Sequence, residues 1–130
     1  MRILIAEDDL VSQKFLNTFI SNYGECDITV DGLEAIDAFI FALDEGNSYD
    51  LICLDIMMPK LDGMKVLTTI RELEKEKGVS DEDKAKIIMM TALNDIDYVL
   101  ESFERGCEAY AAKPIDIDKM IEVMKKLDLI

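Results

Sequence analysis

The chain's 130 residues suit a single domain, and with half of them hydrophobic it can bury its own core without a disulfide or metal staple. Against 14 basic residues stand 28 acidic ones, a formal charge of −14 that is the wrong sign for gripping nucleic-acid phosphates and serves mainly solubility. Histidine is absent, which removes the usual proton shuttle and any phosphohistidine, and the short apolar runs are too broken by charge to span a membrane.

Arg2 to Ala6 (RILIA) reads as a buried strand. A helical segment follows, with Val11, Phe15, Leu16, Phe19 and Ile20 on one side. Cys26 to Val30 (CDITV) is a second, less apolar strand, nearer an edge. Asp31-Gly32 then turns into a helix carrying Ala35, Ile36, Phe39, Ile40 and Leu43. Asp50 to Asp55 (DLICLD) is a third strand, and its LICL run suggests burial on both faces. Beyond a loop with Pro59 and Asp62-Gly63, a helix carries Val66, Leu67, Ile70 and Leu73. The polar stretch Glu74 to Lys86 is expected to fray that helix into a solvated loop.

Ile87 to Met90 (IIMM) is the fourth strand. Ile96, Val99, Leu100 and Phe103 recur at i, i+3, i+4 and i+7 of a fourth helix, which Gly106 closes. Glu108 to Ala112 (EAYAA) is a fifth strand, placed by alternation more than by propensity. Ile117, Met120, Ile121, Met124 and Leu127 mark a last amphipathic helix. Regular β-α alternation predicts an α/β fold: a five-stranded parallel sheet of flavodoxin-like order 2-1-3-4-5, with helices on both faces. Cys26, Cys53 and Cys107 are odd in number, widely spaced and placed at predicted strands, as buried thiols of a reducing compartment would be. The N-terminus MRILIAEDD turns acidic before a signal-peptide apolar region could finish, so a cytoplasmic location is expected.

Open α/β sheets bind ligands beyond the C-terminal ends of their strands. There stand Glu7, Asp8 and Asp9 after strand one, Asp55 after strand three, Thr91 after strand four, and Lys113-Pro114 after strand five with its Tyr110. Strands one and three are expected neighbours, so their carboxylates converge. Each like-charge pair about 5 Å apart costs roughly 3 kcal/mol at an effective dielectric near 20. Such a cluster either holds a proton or binds a cation, and all-oxygen ligands without His or Cys suit a hard ion such as Mg²⁺. A metal, an ammonium, a hydroxyl and a carboxylate nucleophile together are equipment for phosphoryl transfer. Asp9 reads as a cap of the first helix and Asp62 as a turn residue. Thr91, Tyr110 and Lys113-Pro114, each taken alone, could be ordinary fold residues.

The segments ILIAEDD (3–9), LICLDIMMPKLDG (51–63), IIMMTA (87–92) and AYAAKP (109–114) together resemble the receiver domains of two-component response regulators, CheY-like and stand-alone, over the whole chain. That resemblance implies Asp55 as phospho-acceptor, with Glu7, Asp8, Asp55 and the Met57 backbone carbonyl holding Mg²⁺. It implies Thr91, Ala92, Lys113 and Tyr110 as phosphoryl-binding and switch residues, and a cis peptide at Pro114. Glu7 stands where the family more often has Asp. Met57 and Leu93, both apolar, occupy positions that tune water access, so slow loss of the phosphoryl group is expected. The implied partners are a sensor histidine kinase or histidine phosphotransfer protein as donor, a downstream protein target read through the fourth helix, fifth strand and fifth helix, and a phosphorylation-dependent homodimer. No output domain is expected within residues 1–130. The alternative function is a Mg²⁺-dependent phosphatase or phosphotransferase of the haloacid dehalogenase type. Those enzymes carry a second acid two residues after the nucleophile, where this chain has Met57.

Overall fold

A computed structural model describes residues 1–92 and 96–130. Five strands alternate with five helices in chain order: β1 Arg2–Ala6, α1 Leu10–Ile20, β2 Glu25–Thr29, α2 Gly32–Asp44, β3 Leu51–Asp55, α3 Gly63–Glu76, β4 Lys86–Thr91, α4 Ile96–Glu104, β5 Ala109–Ala112 and α5 Ile117–Lys126. The sheet is parallel with order β2-β1-β3-β4-β5, as predicted. Strand limits differ from the expected ones by a residue or so. β2 begins one residue early, at Glu25, because the Glu25 amide donates to Met1 O and its register runs Arg2 to Glu25.

The period-2 alternation of the strands builds two cores, one on each sheet face. Leu4, Ala6, Ile52, Leu54, Ile87 and Met89 face Ala35, Phe39, Ala42, Val66, Leu67 and Ile70 of α2 and α3. Ile3, Ile5, Leu51, Cys53, Ile88 and Met90 face Leu16 and Ile20 of α1 and Met120 and Met124 of α5. Burial of the central strands on both faces explains their unbroken apolar runs. Asp9, Asp31, Asp62 and Asp116 cap α1, α2, α3 and α5, each accepting from a backbone amide three residues on. Asp62 is therefore a helix cap as well as a turn residue. All three cysteines are free thiols, with Cys107 preceding β5 rather than lying in it.

One expectation fails for an identifiable reason. The segment from Glu74 is not uniformly solvated. α3 continues to Glu76, and Glu74 is buried because its carboxylate accepts from Ala85 N at 2.9 Å and pairs with Arg71 at 2.6 Å. Arg71 also bonds Glu108, the Gly106 carbonyl and the Ala85 carbonyl, so a satisfied ionic network pins the connection before β4. In α4 the apolar stripe points outward: Ile96, Leu100 and Phe103 are 64%, 54% and 46% exposed. Its inner contacts are polar, with Ser102 Oγ against Met64 Sδ at 3.3 Å and Arg105 donating to Thr68 Oγ1 at 2.9 Å. Among the described residues no helix is long and apolar enough to cross a membrane.

Candidate functional site

β1 and β3 pair at the centre of the sheet, Ala6 beside Leu54, so the residues that follow them open onto the same end. Glu7 comes first after β1. Its backbone amide donates to Thr29 O at 3.0 Å, and the Gln13 side-chain amide donates to its carbonyl at 2.5 Å, tying the strand end to β2 and α1. These bonds hold the Glu7 side chain fully buried. Asp55 closes β3 almost as deeply. Its Oδ1 accepts from Met57 N at 3.2 Å, and its Oδ2 accepts from Lys113 Nζ at 3.1 Å.

Lys113 also donates to Glu7 Oε1, so one ammonium bridges two carboxylates from neighbouring strands. The second Glu7 oxygen, Oε2, is buried and finds no hydrogen-bond partner among the described residues. Asp8 is exposed at the rim. One carboxylate oxygen from each of Glu7, Asp8 and Asp55 can be chosen such that all three lie within 4.8 Å of one another. Burial, followed by the hydrogen-bond contact with Asp55, pushes the Glu7 carboxyl up to about 7, with Lys113 pulling the other way. Burial works to lower the Lys113 ammonium, but its bonds to Glu7 and Asp55 outweigh that, and its value rises. Asp9 takes no part in the cluster: its carboxylate accepts from Ser12 N and Ser12 Oγ as the α1 cap.

The other residues singled out in the sequence line the same end of the sheet. Thr91 is buried at the end of β4, and its carbonyl accepts from Lys113 N at 2.9 Å, joining the two strand ends. Ala92 beside it is exposed, Tyr110 is half-buried in β5, and the Lys113–Pro114 peptide is cis. The Met57 side chain is 62% exposed at the rim. Leu93 lies outside the described residues.

An orphaned buried carboxylate oxygen, two further acids and no nitrogen or sulfur ligand make a donor set that fits a hard divalent cation such as Mg²⁺. Two residues that shape the site went unnoticed in the sequence. Gln13 fixes the Glu7 backbone, and nothing in its helix marked it. Gly63 lets α3 start against the end of β3: a Cβ there would come within 2.1 Å of Asp55 O, while its amide donates to Ile56 O at 2.8 Å. The Asp-Gly pair signalled a turn, but not that close approach.

The sequence model described as the response regulator receiver domain matches residues 3–125. The chain belongs to this family. The receiver is 29% identical over 126 residues to the probable transcriptional regulator ycf29 of Porphyra purpurea, covering 96% of this chain and 55% of that protein. It is 34% identical over 128 residues to hybrid signal transduction histidine kinase I of Dictyostelium discoideum, covering 95% of this chain but 7% of the kinase. The chain thus spans about half, or far less, of the length of these relatives. In shape the receiver is similar to the crystal structure of the CheX-CheY-BeF3-Mg complex from Borrelia burgdorferi. The TM-score is 0.84 at 28% identity, over 98% of this chain and 89% of that one.

Proposed function

We propose that Asp55 is the phosphoryl acceptor of this receiver. The observation that carries the reading is Lys113 bridging Asp55 and Glu7 while the second Glu7 oxygen stays buried without a partner. Lys113 neutralises charge on the nucleophile in the resting state and is already within reach of an incoming phosphoryl oxygen. Glu7, Asp8, Asp55 and the Met57 carbonyl would hold Mg²⁺, which supplies charge neutralisation for the transferring phosphoryl group. Thr91 offers a hydroxyl to that group, and the exposed Ala92 leaves its approach open. Tyr110, in β5 beside β4, follows Thr91.

The donor in this reading is a sensor histidine kinase or a histidine phosphotransfer protein, since the chain has no histidine of its own. The Borrelia complex, in which a CheY is bound with BeF3, Mg and CheX, supports the same chemistry and a protein partner. Phosphorylation shifts the population towards the arrangement in which Thr91 and Lys113 both hold the phosphoryl group, by the difference in those bonds between states. A downstream protein, or a second phosphorylated copy, then reads the α4-β5-α5 face, where Ile96, Leu100 and Phe103 stand exposed. Residues 1–130 act as one cytoplasmic receiver domain, a switch rather than a turnover enzyme.

The test is intact mass after incubation with Mg²⁺ and acetyl phosphate. One phosphoryl adduct that needs metal and disappears in Asp55→Asn is expected. An adduct that survives this substitution rejects the assignment.

A further inference from the structure

The buried face of α1 is formed by Gln13, Leu16 and Ile20, so a neutral amide stands where helical spacing calls for an apolar side chain. An amide taken out of water costs stability unless it is hydrogen-bonded. Here Gln13 Nε2 donates to the Glu7 carbonyl at 2.5 Å. That carbonyl belongs to the peptide group joining Glu7 to Asp8. The peptide is planar, so holding its oxygen limits rotation on both sides, about ψ of Glu7 and φ of Asp8. The donor is itself fixed. Gln13 N donates to Asp9 O at 2.9 Å, and the Asp9 carboxylate accepts from Ser12 N and Ser12 Oγ in the same turn. Asp8 lies inside this loop, and its exposed carboxylate has no hydrogen bond or ion pair of its own among the described residues.

We propose that Gln13 is a positioning residue of the cation site: by holding the Glu7–Asp8 peptide it presets the directions in which the two carboxylates leave the backbone, and so raises affinity for a divalent cation. This rests on the reading that Glu7, Asp8 and Asp55 hold Mg²⁺, and adds a residue that touches neither the ion nor the phosphoryl group. Asp55 needs no such tether, because it lies in β3 and pairs with Met90 of β4. Glu7 and Asp8 follow Ala6, the last paired residue of β1, and depend on what holds them beyond it. One of them carries the buried oxygen without a partner among the described residues, and an oxygen from each lies within 4.8 Å of the other and of Asp55. Like charges gathered so closely repel, and an untethered pair relaxes apart. A backbone fixed beforehand moves that cost from the binding step to folding.

Loss of an outer partner of a metal ligand weakens metal binding by about 10–100-fold. Gln13 holds a backbone rather than a carboxylate, so the lower end, about tenfold, is expected. The experiment titrates Mg²⁺ into the 130-residue chain by isothermal calorimetry, in wild type, Gln13→Met, Gln13→Asn and Phe39→Leu. Gln13→Met keeps the length and bulk of the side chain and removes the donor. Gln13→Asn keeps an amide that falls one methylene short of the Glu7 carbonyl, and serves as the second reading should Gln13→Met not fold. Both are expected to raise the Mg²⁺ dissociation constant about tenfold. Phe39→Leu loosens the core on the other face of the sheet, and is expected to lower the urea midpoint with Mg²⁺ affinity unchanged. In phosphorylation of Asp55 by acetyl phosphate, the Gln13 variants should need about ten times more Mg²⁺ for half-maximal rate and reach the wild-type rate at saturation. A dissociation constant within twofold of wild type in a folded Gln13 variant, or an equal weakening in Phe39→Leu, overturns the inference and leaves the cation site standing. No Mg²⁺ binding in wild type overturns both.

Discussion

Glu7→Gln is expected to make the metal-free protein more stable at high pH and to abolish most of its stabilisation by Mg²⁺. The Glu7 carboxyl is fully buried, and its pKa rises from 4.5 to about 7. A carboxyl raised in this way binds its proton more tightly in the folded state than in the unfolded chain. Its contribution is fully present below 4.5 and is lost as pH rises through about 7. The rise corresponds to about 3 kcal/mol, at ~1.4 kcal/mol for each tenfold step in acidity. The glutamine amide cannot ionise, so the variant escapes this loss, but it forgoes the charge in the bond from Lys113. A net gain of about 1–3 kcal/mol above pH 7, vanishing towards pH 5, is the balance. The capping carboxyls do not mimic this. Asp9, held down mainly by the Ser12 hydroxyl, and Asp31, held down mainly by the Glu34 amide, complete their titration below the window. With Mg²⁺ at a hundred times its dissociation constant, wild type gains about 2.7 kcal/mol by linkage, and the variant far less. Urea unfolding across this pH range, with chelator and with Mg²⁺, measures both effects. A metal-free wild type that strengthens between pH 5 and 8, or a variant that keeps the full Mg²⁺ response, would refute the reasoning.

Gly63→Ala should cost about 1–3 kcal/mol, because its Cβ meets the Asp55 carbonyl, which belongs to a central strand and cannot yield. Gly46→Ala, at φ 72° in open space, should cost only the ~1–2 kcal/mol of a left-handed residue, and urea midpoints compare the two. Arg71→Met leaves Glu74 buried without its cation and should cost about 3–5 kcal/mol, with the additional change Glu74→Gln recovering part of it in a double-mutant cycle. Met57→Asn places a polar group at the rim, where it can orient water towards the phosphoryl group. The lifetime of the phosphorylated protein, followed by mass, should fall several-fold, and an unchanged lifetime would remove Met57 from control of dephosphorylation.

The sheet was legible because its signals are local. RILIA, LICL and IIMM are apolar without interruption only when both faces are covered, and that alone implies central parallel strands. The convergence of Glu7, Asp8 and Asp55 follows from strand order, so it too could be read before any coordinates. What stayed hidden depends on how side chains turn back onto the backbone and onto one another. Glu74 looks like surface charge until Arg71 and the Ala85 amide reach it. Gln13 looks like a solvated helix residue until the Glu7 carbonyl accepts from it. The α4 stripe has the period of a buried face, and periodicity cannot say which side of a helix meets the protein. There Ser102 and Arg105 settle the question with polar bonds to α3.

The acidic cluster and α4 share one property that suits a switch. In the two cores burial and pairing agree: the apolar side chains there are covered, and the buried Glu74 carboxylate is fully bonded. At the end of the sheet that holds Asp55, burial raises Glu7 against its own charge and leaves one of its oxygens without a partner among the described residues. On α4, three large apolar residues face water. Both are departures from the consistency that otherwise specifies the fold, and such departures persist where something binds. A cation and a phosphoryl group would relieve the first, and a protein surface the second. Thr91 links the two, since its carbonyl accepts from Lys113 N and β4, which it ends, precedes α4 in the chain. The chain runs from Thr91 towards α4, so a rearrangement of Thr91 around a phosphoryl group would act on the N-terminal side of α4.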